Sequence, residues 1–315
     1  MKIIGTLLVF LILSYNLASA QDTLYIYKSG NVVKKCPVSE IDSITFKAVH
    51  SDPSAVASSN LVAYFPFEGN GVDIKGGLMP KQNPNVIFGK GRRGLAYQGV
   101  DNAYFLYDLP VLSKLRTLKA FSISLWLNEP QIPTETDPVP MILQIKNDDD
   151  LFWGNLSFLS ERMGTYSSPS DSLNLKSVFH SQTAYWYNQF INFPNKALQA
   201  SKWIHLIFEY DNITSTFSVF VNGTKLELPA NVAIRYADSK PLNGDQPLFG
   251  DMNFNKPSQL VIGGWLTKIV QVPPATDAWM GWFNGIMDEL RIYDRALTSS
   301  EAKALYDAEV IQIKE

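Results

Sequence analysis

Residues 120–128, AFSISLWLN, alternate without a break: Phe121, Ile123, Leu125 and Leu127 fall on one side, Ser122, Ser124, Trp126 and Asn128 on the other. A period of two marks a half-buried β-strand, because successive side chains of an extended chain point to opposite faces. The pattern returns in residues 202–228. Ile204, Leu206, Phe208 and Tyr210 form one inward row, Asp211 to Ser215 turn the chain, and Phe217, Val219 and Val221 form a second row. Asn222-Gly223 then predicts a tight hairpin, since this dipeptide readily takes the positive φ angles of a two-residue turn. Residues 259–265 and 283–293 read as further strands. Near the start of the chain, residues 22–46 alternate Leu24 and Ile26 with Tyr25 and Tyr27, turn at Ser29-Gly30-Asn31 and resume with Val32 and Val33. This is a β-hairpin too small to be stable by itself. One helix is predicted, from Thr298-Ser299-Ser300-Glu301, a capping box in which hydroxyl and carboxylate each accept from the other residue's backbone N–H. Many short strands with one short helix predict an all-β fold, a sandwich or barrel rather than α/β.

The strand FNGIMDELRIY (283–293) holds an inconsistency. Simple alternation puts Ile286, Asp288, Leu290 and Ile292 on one face, and its aliphatic character makes that face the buried one. An unpaired carboxylate there is expensive. The opposite row holds Met287, Glu289, Arg291 and Tyr293, so Glu289 and Arg291 read as a surface ion pair of small value.

The first twenty residues, MKIIGTLLVFLILSYNLASA, read as a secretory leader: Lys2, an apolar run from Ile3 to Leu13, and Ala18-Ser19-Ala20 as cleavage site. The run is shorter than the ~20 residues that span a bilayer, and no other stretch is apolar enough to insert. Gln21 follows the cleavage site where a lipid anchor needs cysteine, so the product is expected in the periplasm, at the cell surface or outside the cell. Cys36 is the only cysteine, so no intrachain disulfide can form. Of 27 Lys and Arg residues, Lys2 leaves with the leader, and the remaining 26 face 30 acidic residues, a net charge of −4. Basic residues adjoin only at Arg92-Arg93 and Lys34-Lys35, which argues against nucleic acid as a partner. Residues 50–60, HSDPSAVASSN, have linker composition.

Seven segments carry a resemblance, in chain order: LVAYFPFEGN (61–70), GLAYQG (94–99) with DNAY (101–104), FSISLW (121–126), WIH (203–205) with EYD (209–211), FVNG (220–223), IGG (262–264) and GIMDELRIY (285–293). Together they resemble the strands of laminin-G-like domains in the concanavalin A-like lectin/glucanase superfamily. The resemblance implies a two-sheet antiparallel jelly-roll β-sandwich over residues 61–306, with 129–200 and 229–258 as long loop insertions. The hairpin is similar to the leader module in front of such domains in secreted bacterial proteins. The expected division is a signal peptide at 1–20, the hairpin module at 21–47, a linker at 48–60, the laminin-G-like domain at 61–306 and a tail at 307–315.

In a jelly roll the last strand runs close to the first, which gives Asp288 neighbours. Glu68, Asn70 and Asp73 could join it as oxygen ligands of a structural calcium ion, which many members of the superfamily bind. The alternative is metal-free, with Asp288 accepting from backbone N–H groups or the indole of Trp282. Glucanases of this fold carry the carboxylate pattern E-x-D-x-x-E. Glu40-Ile-Asp42-Ser-Ile-Thr45 matches the first two acids but lacks the last and lies in the hairpin, so no catalytic residue is assigned. His50, His180 and His205 are scattered, and His205 reads as a packed residue rather than a base.

Aromatic residues are the remaining signal. Phe179, Tyr185, Trp186, Tyr187, Phe190 and Phe193 crowd into 177–193, and Trp265, Trp279 and Trp282 bracket the loop before the last strand. A flat ring covers the C–H face of a pyranose while nearby amides and carboxylates bind its hydroxyls. The expected carbohydrate-binding site comprises Tyr185, Trp186 and Trp279 with Gln182, Asn188 and Asp277. Alternatively, the rings are a miniature core for the insertion. Three functions stay open: first a secreted non-catalytic module binding a polysaccharide or other glycan, then an extracellular module binding another protein, and last a glycoside hydrolase.

Overall fold

The computed structural model describes residues 22–28, 31–41, 55–163, 171–180, 189–237, 247–270 and 278–311, in two units divided after Val49. The first unit is an antiparallel hairpin of β1 (Thr23–Lys28) and β2 (Asn31–Pro37), with Leu24 opposite Cys36 and Ile26 opposite Lys34. Tyr25, Ile26, Val32, Val33 and Val38 are exposed. Two strands have nothing of their own with which to cover such side chains.

The second unit contains β3 (Leu61–Phe65), β4 (Ile87–Lys90), β5 (Leu95–Gln98), β6 (Phe105–Asp108), β7 (Phe121–Asn128), β8 (Val139–Ile145), β9 (Leu156–Glu161), β10 (Asn174–Phe179) and β11 (Gln189–Asn192). There follow β12 (Ile204–Asp211), β13 (Thr216–Val221), β14 (Thr224–Lys225), β15 (Gln259–Ile262), β16 (Met280–Trp282) and β17 (Ile286–Tyr293). One sheet has the order β14-β13-β12-β7-β17-β5-β4, with β3 also on β17; the other has the order β11-β10-β9-β8-β15-β6, with β16 beside β8. Pairing is antiparallel except that β16 lies parallel to β8. The protein is thus a β-sandwich. The rows read from alternation meet inside it: Phe121, Ile123, Leu125 and Leu127 of β7 and Ile204, Leu206, Phe208 and Tyr210 of β12 share one buried core with Leu143, Phe158, Leu175 and Ile191 of the second sheet. Each such side chain contributes about 1.5–3 kcal/mol on burial. The Asn222-Gly223 turn forms as predicted, with φ of +50° and +75° between Val221 and Thr224.

Residues 129–200, expected as a loop insertion, instead supply β8 to β11. Clean alternation is missing there because β8, β9 and β10 are buried at every position, so both faces accept apolar residues. Their outward side is covered by a cluster of Val139, Met141, Leu159, Trp265 and Met280 with Phe152, Trp153 and Trp279 against it.

The outward side of the first sheet is covered by the C-terminal helix, Ser299–Ile311. Leu297, Ala302 and Leu305 pack with Leu61, Tyr64, Ile207, Phe220 and Tyr293. The capping box forms: the Glu301 N–H donates to Thr298 Oγ1 at 3.2 Å and the Thr298 N–H to Glu301 Oε2 at 2.8 Å. The helix continues past residue 306, where the resemblance ends the domain, and Glu309 in the expected tail is buried. Among the described residues no helix is long and apolar enough to cross a membrane.

A β-bulge resolves the inconsistency in the last strand. Asp288 lies opposite Trp126 but Arg291 opposite Ser124, so β17 carries one extra residue there, and Glu289 has a φ of +55°. The extra residue reverses the phase of alternation. Met287 before it and Leu290 and Ile292 after it face the core, whereas Asp288 shares the outward face of its partner Trp126. Asp288 therefore does not sit in the row of Leu290 and Ile292. Nor are Glu289 and Arg291 a surface pair: they are 1% and 0% exposed, and Arg291 pairs with Glu309 of the helix.

The core of the second unit draws on residues from Val62 to Ile292. Removing residues 1–54 is therefore expected to leave a single cooperative melt at an unchanged temperature, measured by circular dichroism. Loss of cooperativity would show that the hairpin completes the core.

Candidate functional site

β16 ends in Trp282, and its parallel register with β8, Trp282 opposite Met141, fixes the indole beside the second sheet. The ring comes so close to the backbone that a Cβ on Gly264 would lie 2.5 Å from Cζ3 and 2.6 Å from Cε3. Glycine is required at that contact. Tyr104 stacks on Trp282, with ring centroids 5.7 Å apart and planes 12° apart. Trp282 remains partly exposed and lines a cleft of about 410 Å³ together with Asp101, Asn102, Gln131, Asp137 and Asn284. Asp101, Asn102, Gln131 and Asn284 are exposed. Asp137 is held in a turn: its Oδ2 accepts from the Thr134 N–H and hydroxyl, both at 2.8 Å, and these bonds hold its carboxyl below the usual range. Lys268 also lines the cleft. Its ammonium donates to the Met280 carbonyl at 2.9 Å and lies 5.2 Å from the Trp282 ring centroid. Such a site can cover an apolar ligand face with the indole while amides and carboxylates bind polar groups at the ligand's edge.

A second hollow, about 470 Å³, lies between Phe190–Asn195 and Glu227–Arg235. Its buried cation is already engaged, since Arg235 donates to Gln189 Oε1 and to the carbonyls of Asn231 and Val232. Phe193, Pro194, Leu228 and Val232 give it a more apolar character than the Trp282 cleft.

Of the residues expected to bind carbohydrate, Tyr185, Trp186, Gln182, Asn188 and Asp277 lie outside the described residues. Trp279 is half-buried, with its ring 5.1 Å from Trp265 and 5.4 Å from Phe152. Its chain neighbours Ala278 and Met280 line the cleft. Phe179 and Phe193 of the aromatic run belong to the sandwich core.

The residues expected as calcium ligands divide into two places. Asp73 serves its own turn, where Oδ1 accepts from the N–H groups of Tyr64, Lys75 and Gly76 at 2.8, 2.9 and 2.9 Å. Asn70 is likewise local, accepting from the Val72 N–H. Asp288 and Glu68 both meet the loop before β5. Asp288 Oδ2 accepts from the Arg93 N–H and Oδ1 from the Glu289 N–H, both at 2.9 Å, while Glu68 Oε2 accepts from the Leu95 N–H at 3.1 Å. Among the described residues no three His, Cys, Asp or Glu side chains gather as a metal site. Burial, then the charges of Glu289 and Glu68, push the Asp288 carboxyl up to about 8 against its N–H partners. Chelation with EGTA is expected to leave the melting temperature unchanged, whereas Asp288→Ala, which strips the buried Glu289 N–H and the part-buried Arg93 N–H of their acceptor, is expected to cost about 1–3 kcal/mol for the buried group left unpaired. A drop in melting temperature on chelation would favour the calcium reading, since a native-state ligand stabilises by mass action.

No protein-family model matches the sequence, and no curated protein matches it. In three dimensions the chain is similar to botulinum neurotoxin type C, from a structure concerned with cell entry dependent upon interaction with two ganglioside molecules (TM-score 0.53, 12% identity, 80% of this chain and 52% of that chain). It is similar to the ligand binding domain of botulinum neurotoxin serotype D in complex with N-acetylneuraminic acid (TM-score 0.53, 10% identity, 83% and 53% covered). It is also similar to the binding domain of botulinum neurotoxin DC in complex with rat synaptotagmin II (TM-score 0.52, 13% identity, 80% and 52% covered). The chain spans about half the length of each. At these identities the likeness is one of fold, a two-sheet β-sandwich.

Asp101, Asn102, Gln131, Asp137, Lys268 and Asn284 carry no pattern that sequence reasoning could tie to Trp282. They come from four separate segments that the tertiary structure brings to one cleft. DNAY (101–104) and IGG (262–264) are visible as framework strings, but their use, a stacking Tyr104 and a Gly264 that admits the indole, is a contact across the fold.

Proposed function

We propose that this protein is a secreted, non-catalytic carbohydrate-binding module of the laminin-G-like, concanavalin A-like kind, and that the Trp282 cleft binds the glycan. The observation that carries this reading is a partly exposed indole beside three amides and two carboxylates. Ring faces cover the C–H side of a sugar, and amides and carboxylates are suited to its hydroxyls. The likeness to a domain solved with N-acetylneuraminic acid supports a glycan ligand. The absence of E-x-D-x-x-E from the sandwich sequence supports a binding role rather than hydrolysis.

The mature chain, residues 21–315, is to be screened on a glycan array and its best ligand titrated by calorimetry. Trp282→Ala and Asn102→Ala are expected to weaken binding at least about tenfold, a loss of roughly 1.4 kcal/mol, while Trp279→Ala lowers the melting temperature because its ring packs on Trp265. Binding that survives Trp282→Ala and falls with Tyr185→Ala or Trp186→Ala would move the site to residues 181–188. No glycan binding at all would leave the protein-binding reading, which the exposed Tyr25, Ile26, Val32 and Val33 of the hairpin support.

A further inference from the structure

We infer that the Trp282 cleft selects uncharged oligosaccharides and discriminates against glycans that carry a carboxylate, an inference that rests on the carbohydrate-binding reading and names its ligand class. Among the described residues the charged side chains lining the cleft are Asp101, Asp137 and Lys268. The two acids only accept hydrogen bonds when ionised. Asp137 is kept ionised by the Thr134 N–H and hydroxyl. Lys268 donates one of its three N–H groups to the Met280 carbonyl and lies over the Trp282 ring, which holds the ammonium in place without neutralising it. Arg162 does not line the cleft, but its Nε donates to the Asp137 backbone carbonyl and its charge adds to the stabilisation of the Asp137 carboxylate. The cleft therefore offers an incoming ligand two carboxylates and three neutral amides against one ammonium, so negative charge outnumbers positive in its lining.

Sugar hydroxyls complement such a lining, since each can donate to a carboxylate in a charge-assisted bond. Asn102, Gln131 and Asn284 can donate to ring and hydroxyl oxygens as well as accept. A ligand carboxylate has no proton to give Asp101 or Asp137 and would meet two like charges. Like-charge juxtaposition is the repulsive element by which a site rejects a close analogue. The fold itself does not impose this choice, for a sandwich with the same architecture is known in complex with N-acetylneuraminic acid, an acidic sugar.

The test uses the mature full chain against paired oligosaccharides, neutral and sialylated or uronate-bearing, at low and high salt. The expected result is binding to uncharged glycans, at least about tenfold weaker binding of the acidic partner of each pair, and a narrowing of that gap in high salt. Asp101→Asn combined with Asp137→Asn is expected to close the gap by improving acidic ligands, a change that a merely structural role for these residues would not produce. Equal or tighter binding of acidic glycans, abolished by Lys268→Met, would overturn the selectivity and leave the carbohydrate reading standing. No binding of either class would overturn both.

Discussion

Arg291→Ala is expected to destabilise the protein by about 3–5 kcal/mol, the cost of breaking a buried ion pair by removing one partner. Arg291 is fully buried, and its guanidinium holds Glu289 Oε2 at 2.8 Å, the Glu289 carbonyl at 3.2 Å and Glu309 of the C-terminal helix. It also lies 4.0 Å from the ring centroid of Tyr64, whose hydroxyl donates to the same Glu289 carboxylate. Glu309 in turn accepts from the Trp126 indole at 2.6 Å. Removing Arg291 would leave two buried carboxylates beneath the helix without the cation they share. Lysine cannot replace the planar fork that serves both acids, so Arg291→Lys is expected to recover little. Replacing Arg291, Glu289 and Glu309 together with apolar residues of similar volume is expected to cost far less than Arg291→Ala alone. Urea unfolding gives both values. A single-site loss under about 1 kcal/mol, the size of a surface pair, would show that water reaches the cluster.

Stability is expected to fall as pH rises from 6.5 to about 8. Asp288 is held up to about 8 in the folded protein against an ordinary value of 3.8, so between these values the folded state keeps a proton that the unfolded chain has lost. Its contribution is full below the unfolded value and is lost as pH rises through the folded one. Burial acts in the same direction on Glu129 and Glu209, both pushed up to about 7, the latter despite accepting from the Leu297 N–H and the Ser122 hydroxyl at 2.9 Å each. His205 acts oppositely. Burial, and then Arg291, lower it from 6.5 to about 3, so its contribution is complete above 6.5 and is lost as pH falls through 3. Above 6.5 these three carboxylates keep protons that the unfolded chain has lost, and each proton changes stability by about 1.4 kcal/mol per pH unit. Asp288→Asn is expected to flatten the upper part of the profile. A flat or rising profile in the parent protein would mean that Asp288 is ionised when folded, as it would be with a cation beside it.

Local chemistry made much of this architecture legible in advance. The alternation of β7, β12 and β13 fixed which side chains enter the core, because on a strand the face of each residue follows from its parity alone. Asn222-Gly223 and Thr298 to Glu301 specified a turn and a helix start, because each motif satisfies its own backbone without distant help. What tertiary structure decided were the places where neighbours remote in sequence set the outcome. Strands β8, β9 and β10 lost their signature because layers on both sides bury them. A single extra residue at Glu289 reversed the parity of β17, and pairing with β7 is what shows it. Glu289 and Arg291, polar by composition, are interior because the C-terminal helix brings Glu309 and an apolar cover over them. Trp282 faces a cleft whereas Trp265 is fully buried, though both belong to one run of tryptophans. That difference follows from parallel pairing of β16 with β8, a contact between segments far apart in the chain whose register no local periodicity encodes.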